Sequence, residues 1–276
     1  MPNPRELVRI AALADLHYGR NTAAGSLAPL FSQITEAADV LVLAGDLTDY
    51  GLPDEARGLA REITSALKIP AVGVLGNHDV ESNQQEEVRQ ILGDAGLVML
   101  DGDTTEVHGI GFAGVKGFAG GFGRRALGPW GEQNIKQFVH EAVNEALKLE
   151  AALARLRTDS IVAVMHYSPV QATVEGEPLE IYPFLGSSRL EEPLNRYPVT
   201  AVVHGHAHHG QPEGRTTKNV RVYNVSMSLM RELSPSQPFR VIEVSMMPLE
   251  PDTVAAGGAS EADRRQQDRR TTERNH

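Results

Sequence analysis

Two stretches decide the fold: Val8-Arg9-Ile10-Ala11-Ala12-Leu13-Ala14-Asp15-Leu16-His17 and Val40-Leu41-Val42-Leu43-Ala44-Gly45-Asp46-Leu47-Thr48-Asp49. In each, an apolar run of strand length ends abruptly in acidic and imidazole side chains. A third run, Ala71–Leu75, ends the same way in Gly76-Asn77-His78-Asp79. Helical patterns separate them, over Leu27–Ala38 and over Pro53–Leu67, the second opening on a proline at a helix-start position. Strand, helix, strand, helix, strand predicts βαβαβ units with parallel strands.

Working outward, a helix is expected over Gln84–Asp94 and a short strand over Leu97–Leu100. A strand broken by glycines is expected over Val107–Val115. The longest helical pattern, Trp130–Arg157, runs into the strand Ile161–Met165, and a short helix near Glu191–Arg196 precedes the strand Val199–Val203. Arg221–Val225 and Phe239–Val244 read as antiparallel closing strands. Two connections stand out. Gly117–Gly131 is glycine-rich and, with Lys116, Arg124 and Arg125, reads as a flexible connection with solvated bases or as a phosphate-contacting substrate loop. Ser168–Ser188 is too long for a plain connection and reads as a lid or pocket wall. Residues 251–276 hold five acidic and five basic groups with Val254 the one large aliphatic, so a folded body over 1–250 and a disordered tail over 251–276 are expected.

Composition narrows the function. The chain has 276 residues, 26 basic and 36 acidic, for a net charge of −10. That balance speaks against a protein that coats long nucleic acid. No run approaches the ~20 apolar residues of a membrane helix, and the start of the chain lacks a signal-peptide core, so a cytoplasmic protein off the membrane is expected. There is no cysteine. Disulfides, thiolate metal sites and Cys nucleophiles are therefore excluded together, and any metal must be held by His, Asp, Glu or Asn.

Seven of the ten histidines lie after five of the predicted strands. Besides the three runs above, Ile161–Met165 leads into His166 and Ala201–Val203 leads into His204-Gly205-His206-Ala207-His208-His209. In α/β sheets ligands bind beyond the carboxyl ends of the strands. Carboxylate, amide oxygen and neutral imidazole are donors for Mn, Fe or Zn. The i, i+2 spacing of Asp15/His17 and of His206/His208 puts each pair on one face of extended backbone. Gly45, Gly76 and Gly205 let the backbone turn out of the strand close to the site. His204, ahead of the glycine, reads as structural, His209 as a rim residue, and Asp79 as a cap of the following turn.

The set Asp-x-His, Gly-Asp-x-x-Asp, Gly-Asn-His-Asp, His and Gly-His-x-His, in this order, resembles the calcineurin-like metallophosphoesterase superfamily. The resemblance implies a four-layer αββα sandwich of two mixed β-sheets with a dinuclear centre at the strand ends. It implies that Asp15, His17, Asp46 and His208 bind one ion, and that Asp46 bridges to a second completed by Asn77, His166 and His206. It also implies that His78 contacts the phosphate, with the carboxylate of Asp49 holding its ring. The physical roles agree: two cations clamp both sides of a displacement at phosphorus and lower the pKa of a bound water toward about 7. A carboxylate-oriented His can protonate the leaving group. The expected function is hydrolysis of phosphate esters through metal-bound hydroxide, foremost as a phosphodiesterase on small or nucleotide-type substrates. A phosphomonoesterase or protein phosphatase on the same fold is the alternative. A non-catalytic scaffold is disfavoured because all seven ligand positions and His78 are filled.

Overall fold

The computed structural model describes residues 7–246. The proposed body–tail boundary at 250 and the tail itself lie outside them.

The first half follows the predicted alternation. Strands β1 (Leu7–Leu13), β2 (Val40–Ala44), β3 (Ala71–Val74) and β4 (Leu97–Met99) are joined by helices α1 (Ala28–Ala37), α2 (Pro53–Ala66) and α3 (Gln85–Asp94). All three ladders between these strands are parallel. The second half begins with a hairpin, β5 (Asp103–Val107) and β6 (Ile110–Gly114). It continues through α4 (Gln133–Leu153), β7 (Ser160–Val164), α5 (Tyr182–Leu185), α6 (Glu191–Arg196), β8 (Ala201–His204), β9 (Glu213–Arg215), β10 (Arg221–Asn224), α7 (Met227–Leu233) and β11 (Arg240–Ser245). The strand orders are β11-β1-β2-β3-β4 and β5-β6-β7-β8-β10-β9. Antiparallel strands occur at the edges, where β11 pairs with β1, β5 with β6 and β9 with β10. Both sheets are therefore mixed, as expected.

The alternation of side chains across each strand builds the layers. Ile10, Ala12, Val40, Val42, Val72 and Val74 pack against Phe112, Val162, Val164, Val203 and Tyr223, so one core lies between the sheets. The intervening residues Ala11, Leu13, Leu41 and Leu43 face Phe31, Ile34, Leu59, Ile63, Val88 and Leu92 of α1, α2 and α3. On the far side Ile161, Ala163 and Val202 meet Leu149, Ala152 and Leu153 of α4 and Leu194 of α6. Strands covered on both faces need continuous apolar sequence. That is why β2 and β7 are buried at every residue.

Three expectations change. Val107–Val115 is not one broken strand: His108 (φ 50°) and Gly109 (φ 76°) make a two-residue turn between β5 and β6, the geometry that favours tight hairpins. Strand β10 runs parallel to β8, so of the two closing strands only β11 is antiparallel to the strand inside it. Helix α7 occupies part of that region and buries Met227, Leu229 and Met230.

One side chain fixes the geometry between β2 and β3. Asp79 is fully buried and accepts hydrogen bonds from the backbone N–H groups of Leu47 (3.1 Å), Thr48 (2.7 Å) and Gly76 (2.8 Å) and from Thr48 Oγ1 (2.6 Å). Instead of capping its own turn, it staples the loop after β2 to the loop after β3. Removing it would strand three buried backbone donors, each costing about 1–3 kcal/mol when left unpaired. We predict that Asp79→Ala lowers unfolding free energy in urea by about 3 kcal/mol or more. A change under about 1 kcal/mol would show that the staple is dispensable.

Candidate dinuclear metal centre

The carboxyl ends of β1, β2, β3, β7 and β8 form one crest, and the backbone is bent sharply along it. Asp15 (φ 59°), His17 (φ 45°), Asp46 (φ 50°) and His206 (φ 69°) adopt the left-handed region, at a cost on the order of 1–3 kcal/mol each. The strain is held by the chain around it. Asp15 N–H donates to Gly45 O (3.0 Å), His17 N–H to Asp46 O (3.0 Å) and Gly205 N–H to His166 O (3.2 Å). The Asp15 carboxylate in turn accepts the N–H of His206 at 3.1 Å on both oxygens. Glycine is required at Gly45, Gly76 and Gly205, the last because a Cβ there would lie 2.6 Å from Asp15 Oδ2. A Cβ at Gly45 would lie 2.5 Å from His166 Nδ1, and one at Gly76 would overlap the Asp46 carboxylate.

These bends bring the predicted residues into two groups of proposed ligands, with a third group of His17, Asp49 and His78 beside them. Asp15, His17 and His208 converge, as do Asp46, His166 and His206, with the ligand atoms of each group within 4.8 Å of one another. Asp46 stands between the groups: its Oδ2 lies 3.3 Å from His166 Nε2 and 3.9 Å from His17 Nε2. Asn77 completes the second group with Oδ1 at 2.9 Å from His166 Nε2. The strands thus bring all seven predicted ligands to one place.

The orientation of the rings suits cation binding. His166 Nδ1–H donates to Ala44 O (2.9 Å) and His206 Nε2–H to Phe184 O (3.2 Å). Such bonds fix which ring nitrogen remains for a ligand. In His166 that is Nε2, which faces the oxygens of Asn77 and Asp46, so three electron-rich atoms converge. His17 Nε2 is buried and has no hydrogen-bond partner among the described residues. Both features fit divalent cations, and the oxygen and nitrogen donors suit Mn, Fe or Zn.

The electrostatics agree. Burial opposes charge on His166, yet the adjacent Asp46 carboxylate lifts its pKa to about 9. Without a cation that charge is a proton on Nε2, facing the Asn77 and Asp46 oxygens in the place a metal would take. Burial would also raise Asp46, but His166 and the His78 N–H hold it well below the usual carboxylate range. Burial and the charge on His166 push His206 down to about 4, keeping it a neutral donor.

His78 lies beside the centre, and its N–H donates to Asp46 Oδ1 at 2.8 Å. The expected carboxylate support is not what holds its ring. Nδ1–H donates to the backbone carbonyl of Asp49 at 2.7 Å, while the Asp49 carboxylate lies 3.8 Å from His17 Nδ1. The tight loop around Gly51 (φ 66°) turns the Asp49 carbonyl inward and leaves the side chain to His17. The neighbouring histidines divide as expected. His204 is fully buried, with Nδ1–H on Gly205 O and Nε2 on Thr173 Oγ1, both at 2.8 Å. His209 is exposed, its backbone N–H donating to Glu177 (2.7 Å).

The sequence did not single out Phe184 O, because any residue offers a carbonyl. It places the 168–188 segment against His206 as a wall of the site. Arg124 and Arg125 are exposed on a short turn at Gly123–Arg125, whereas Lys116 is half-buried.

From this geometry we predict that His166→Ala keeps about one ion per chain, measured by metal analysis after reconstitution. Two retained ions would make His166 a core residue only.

The sequence model of calcineurin-like phosphoesterases matches residues 8–210, the span that carries every ligand named above. Similar solved structures include the phosphopantetheinyl hydrolase PptH from Mycobacterium tuberculosis, at 17% identity and a TM-score of 0.59, covering 90% of this chain and 98% of that one. Another is TT1561 of Thermus thermophilus, at 14% identity and a TM-score of 0.50, covering 87% and 99%. At such identities they show the shared fold. Among curated proteins no significant match is found. The family match, over a crest of carboxylate and imidazole donors, places the chain in the calcineurin-like phosphoesterase family of metal-dependent phosphate-ester hydrolases.

Proposed function

We propose that the protein is a dimetal phosphodiesterase acting on small or nucleotide-type phosphodiesters. The observation that carries this reading is the Asp46 carboxylate, which belongs to one three-residue donor group and lies 3.9 Å from His17 Nε2 of the other, with the backbone N–H of His78 on its Oδ1. Asp15, His17, Asp46 and His208 would hold one ion, and Asp46, Asn77, His166 and His206 the other. When bound, the pair supplies Lewis acidity toward the phosphoryl oxygens and an activated water as nucleophile.

The remaining work falls to the chain. His78 Nδ1 is committed to the Asp49 carbonyl, so Nε2 is the nitrogen available to touch a phosphoryl oxygen or give a proton to the departing alkoxide. The Asp49 carboxylate, beside His17 Nδ1, orients a ligand rather than the acid.

A diester is favoured over a monoester on two grounds. Two divalent cations beside the carboxylates of Asp15, Asp46 and Asp49 would leave a net charge of about +1, which the single negative charge of a diester balances and the two of a monoester exceed. Next to His78 a cleft of about 510 Å³, lined by Arg20, Asn21, Asp49, Tyr50, Glu81 and Ser82, offers room for a second alcohol.

The test is a panel of diesters and monoesters, with a phosphopantetheinyl ester included because a structural neighbour is named for that group. A monoester preferred by kcat/KM would overturn the diesterase reading. Within the panel, His78→Ala should keep both metals and lose about 10²–10⁴ in kcat. The loss should be larger for an alkyl leaving group than for p-nitrophenol, which needs little protonation. Asp49→Asn should leave that leaving-group dependence intact, because the carbonyl that holds His78 remains. Equal losses for both leaving groups would restrict His78 to phosphate binding, and a lost metal would make it a ligand.

A further inference from the structure

Lys116 follows β6 and is the basic residue of the glycine-rich loop that the structure turns inward. Its burial works against the charged form and lowers its pKa. Among the described residues the one hydrogen bond of its ammonium runs from Nζ to Gly117 O at 3.0 Å. The ammonium also stands over the rings of Phe118 (5.0 Å to the centroid) and Tyr167 (5.3 Å). An ammonium has three donors, so two are left for something else.

The neighbouring charges do not supply it. Glu145 is the closest carboxylate in electrostatic effect, but both its oxygens are committed, Oε1 to Lys148 Nζ (2.8 Å) and Oε2 to the Gly117 N–H (2.7 Å). Lys148 is further neutralised by Asp101 (3.0 Å), and Arg89 by Asp103 (2.9 Å). Of the three cations that line this cleft, Lys116 is the one without an ion pair among the described residues.

The cleft measures about 190 Å³ and has Leu75, Met99 and Leu100 among its walls. It is smaller than the roughly 300–1,000 Å³ of sites that enclose a whole small molecule, so it suits one group of a larger ligand. Through Leu75 and Lys116 it adjoins the crest that carries the candidate metal centre. Leu75 directly precedes Gly76-Asn77, and Lys116 O accepts the His166 N–H at 3.0 Å. The Tyr167 ring beneath the ammonium packs on His206 at 4.5 Å and on His166 at 5.6 Å between centroids. One aromatic ring therefore separates Lys116 from two of the proposed ligands. Glu86 and Glu141, which also line the cleft, disfavour a polyanion and limit the occupant to a single anionic group.

We infer that Lys116 binds a second phosphate of the substrate, carried on the part of the molecule beyond the reacting phosphoryl group. This rests on the phosphodiesterase reading and narrows it to substrates with two phosphates, one cleaved and one held.

Two measurements test it, one of them independent of turnover. The p-nitrophenyl ester of thymidine 5′-phosphate is compared with the same ester bearing a 3′-phosphate. A charge-assisted hydrogen bond is worth about 1.5–3 kcal/mol. Lys116→Met should accordingly raise KM for the 3′-phosphorylated ester by about 10-fold or more, with kcat kept and the plain ester changed less than about two-fold. KM shifts of equal size for both esters would overturn the assignment. In the second measurement, the metal-free full-length chain is treated with acetic anhydride, with and without inorganic phosphate, and acetylation at each lysine is read by mass spectrometry. Phosphate should protect Lys116 and leave Lys136 and Lys148 unchanged. Equal acetylation of Lys116 in both samples would overturn the inference even if neither ester were hydrolysed, an outcome that would by itself sink only the diesterase reading.

Discussion

The structure depends on one buried carboxylate. Asp46 leaves β2 through Gly45, and its two oxygens have different partners: Oδ1 accepts the His78 N–H, while Oδ2 faces His166 and His17. A carboxylate withdrawn from water this far is costly unless it is paired or hydrogen-bonded. The surrounding crest meets that cost. It brings imidazoles from the loops after β1 and β7, closes the backbone on itself without a Cβ at Gly45 or Gly76, and clamps the two loops with Asp79. The parallel strands matter for function because their carboxyl ends all arrive on one side. The antiparallel edges of both sheets contribute no ligand.

Electrostatics explain how an acidic chain can handle phosphate. The net charge of −10 repels anions at a distance, and several carboxylates gather at the crest itself. Two divalent cations, held as proposed, would invert that field locally. The carboxylates that disfavour phosphate alone are then what holds the groups that attract it. The same logic distinguishes Lys116 from the other cations of its cleft, which carboxylates have already neutralised.

Much of this was legible in the sequence, and the reason is physical. A strand covered on both faces must be apolar throughout, so a sudden Asp, Asn or His at its end marks where the chain turns out into a site. That reading located β1, β2, β3, β7 and β8 and the residues that follow them. Edge structure was harder. Strand β5, Asp-Thr-Thr-Glu-Val, buries no residue fully and carries no apolar signature, and the direction of β10 depends on pairing partners far away in sequence. Backbone groups were invisible for a different reason. Phe184 O on His206 and Asp49 O on His78 follow from loop conformation, which residue type does not encode. Asp79 showed itself only as a turn former, because its partners are N–H groups that every residue has.

The central claim is that Asp46 is shared by two metal ions. Crystals of the full chain reconstituted with Mn²⁺, measured by anomalous diffraction at the manganese edge, test it directly. The account predicts two anomalous peaks, one between Asp15, His17 and His208 and one between Asn77, His166 and His206, with the Asp46 carboxylate bonded to both. A single peak, or a second peak held by His78 and the Asp49 carboxylate without Asp46, would contradict it.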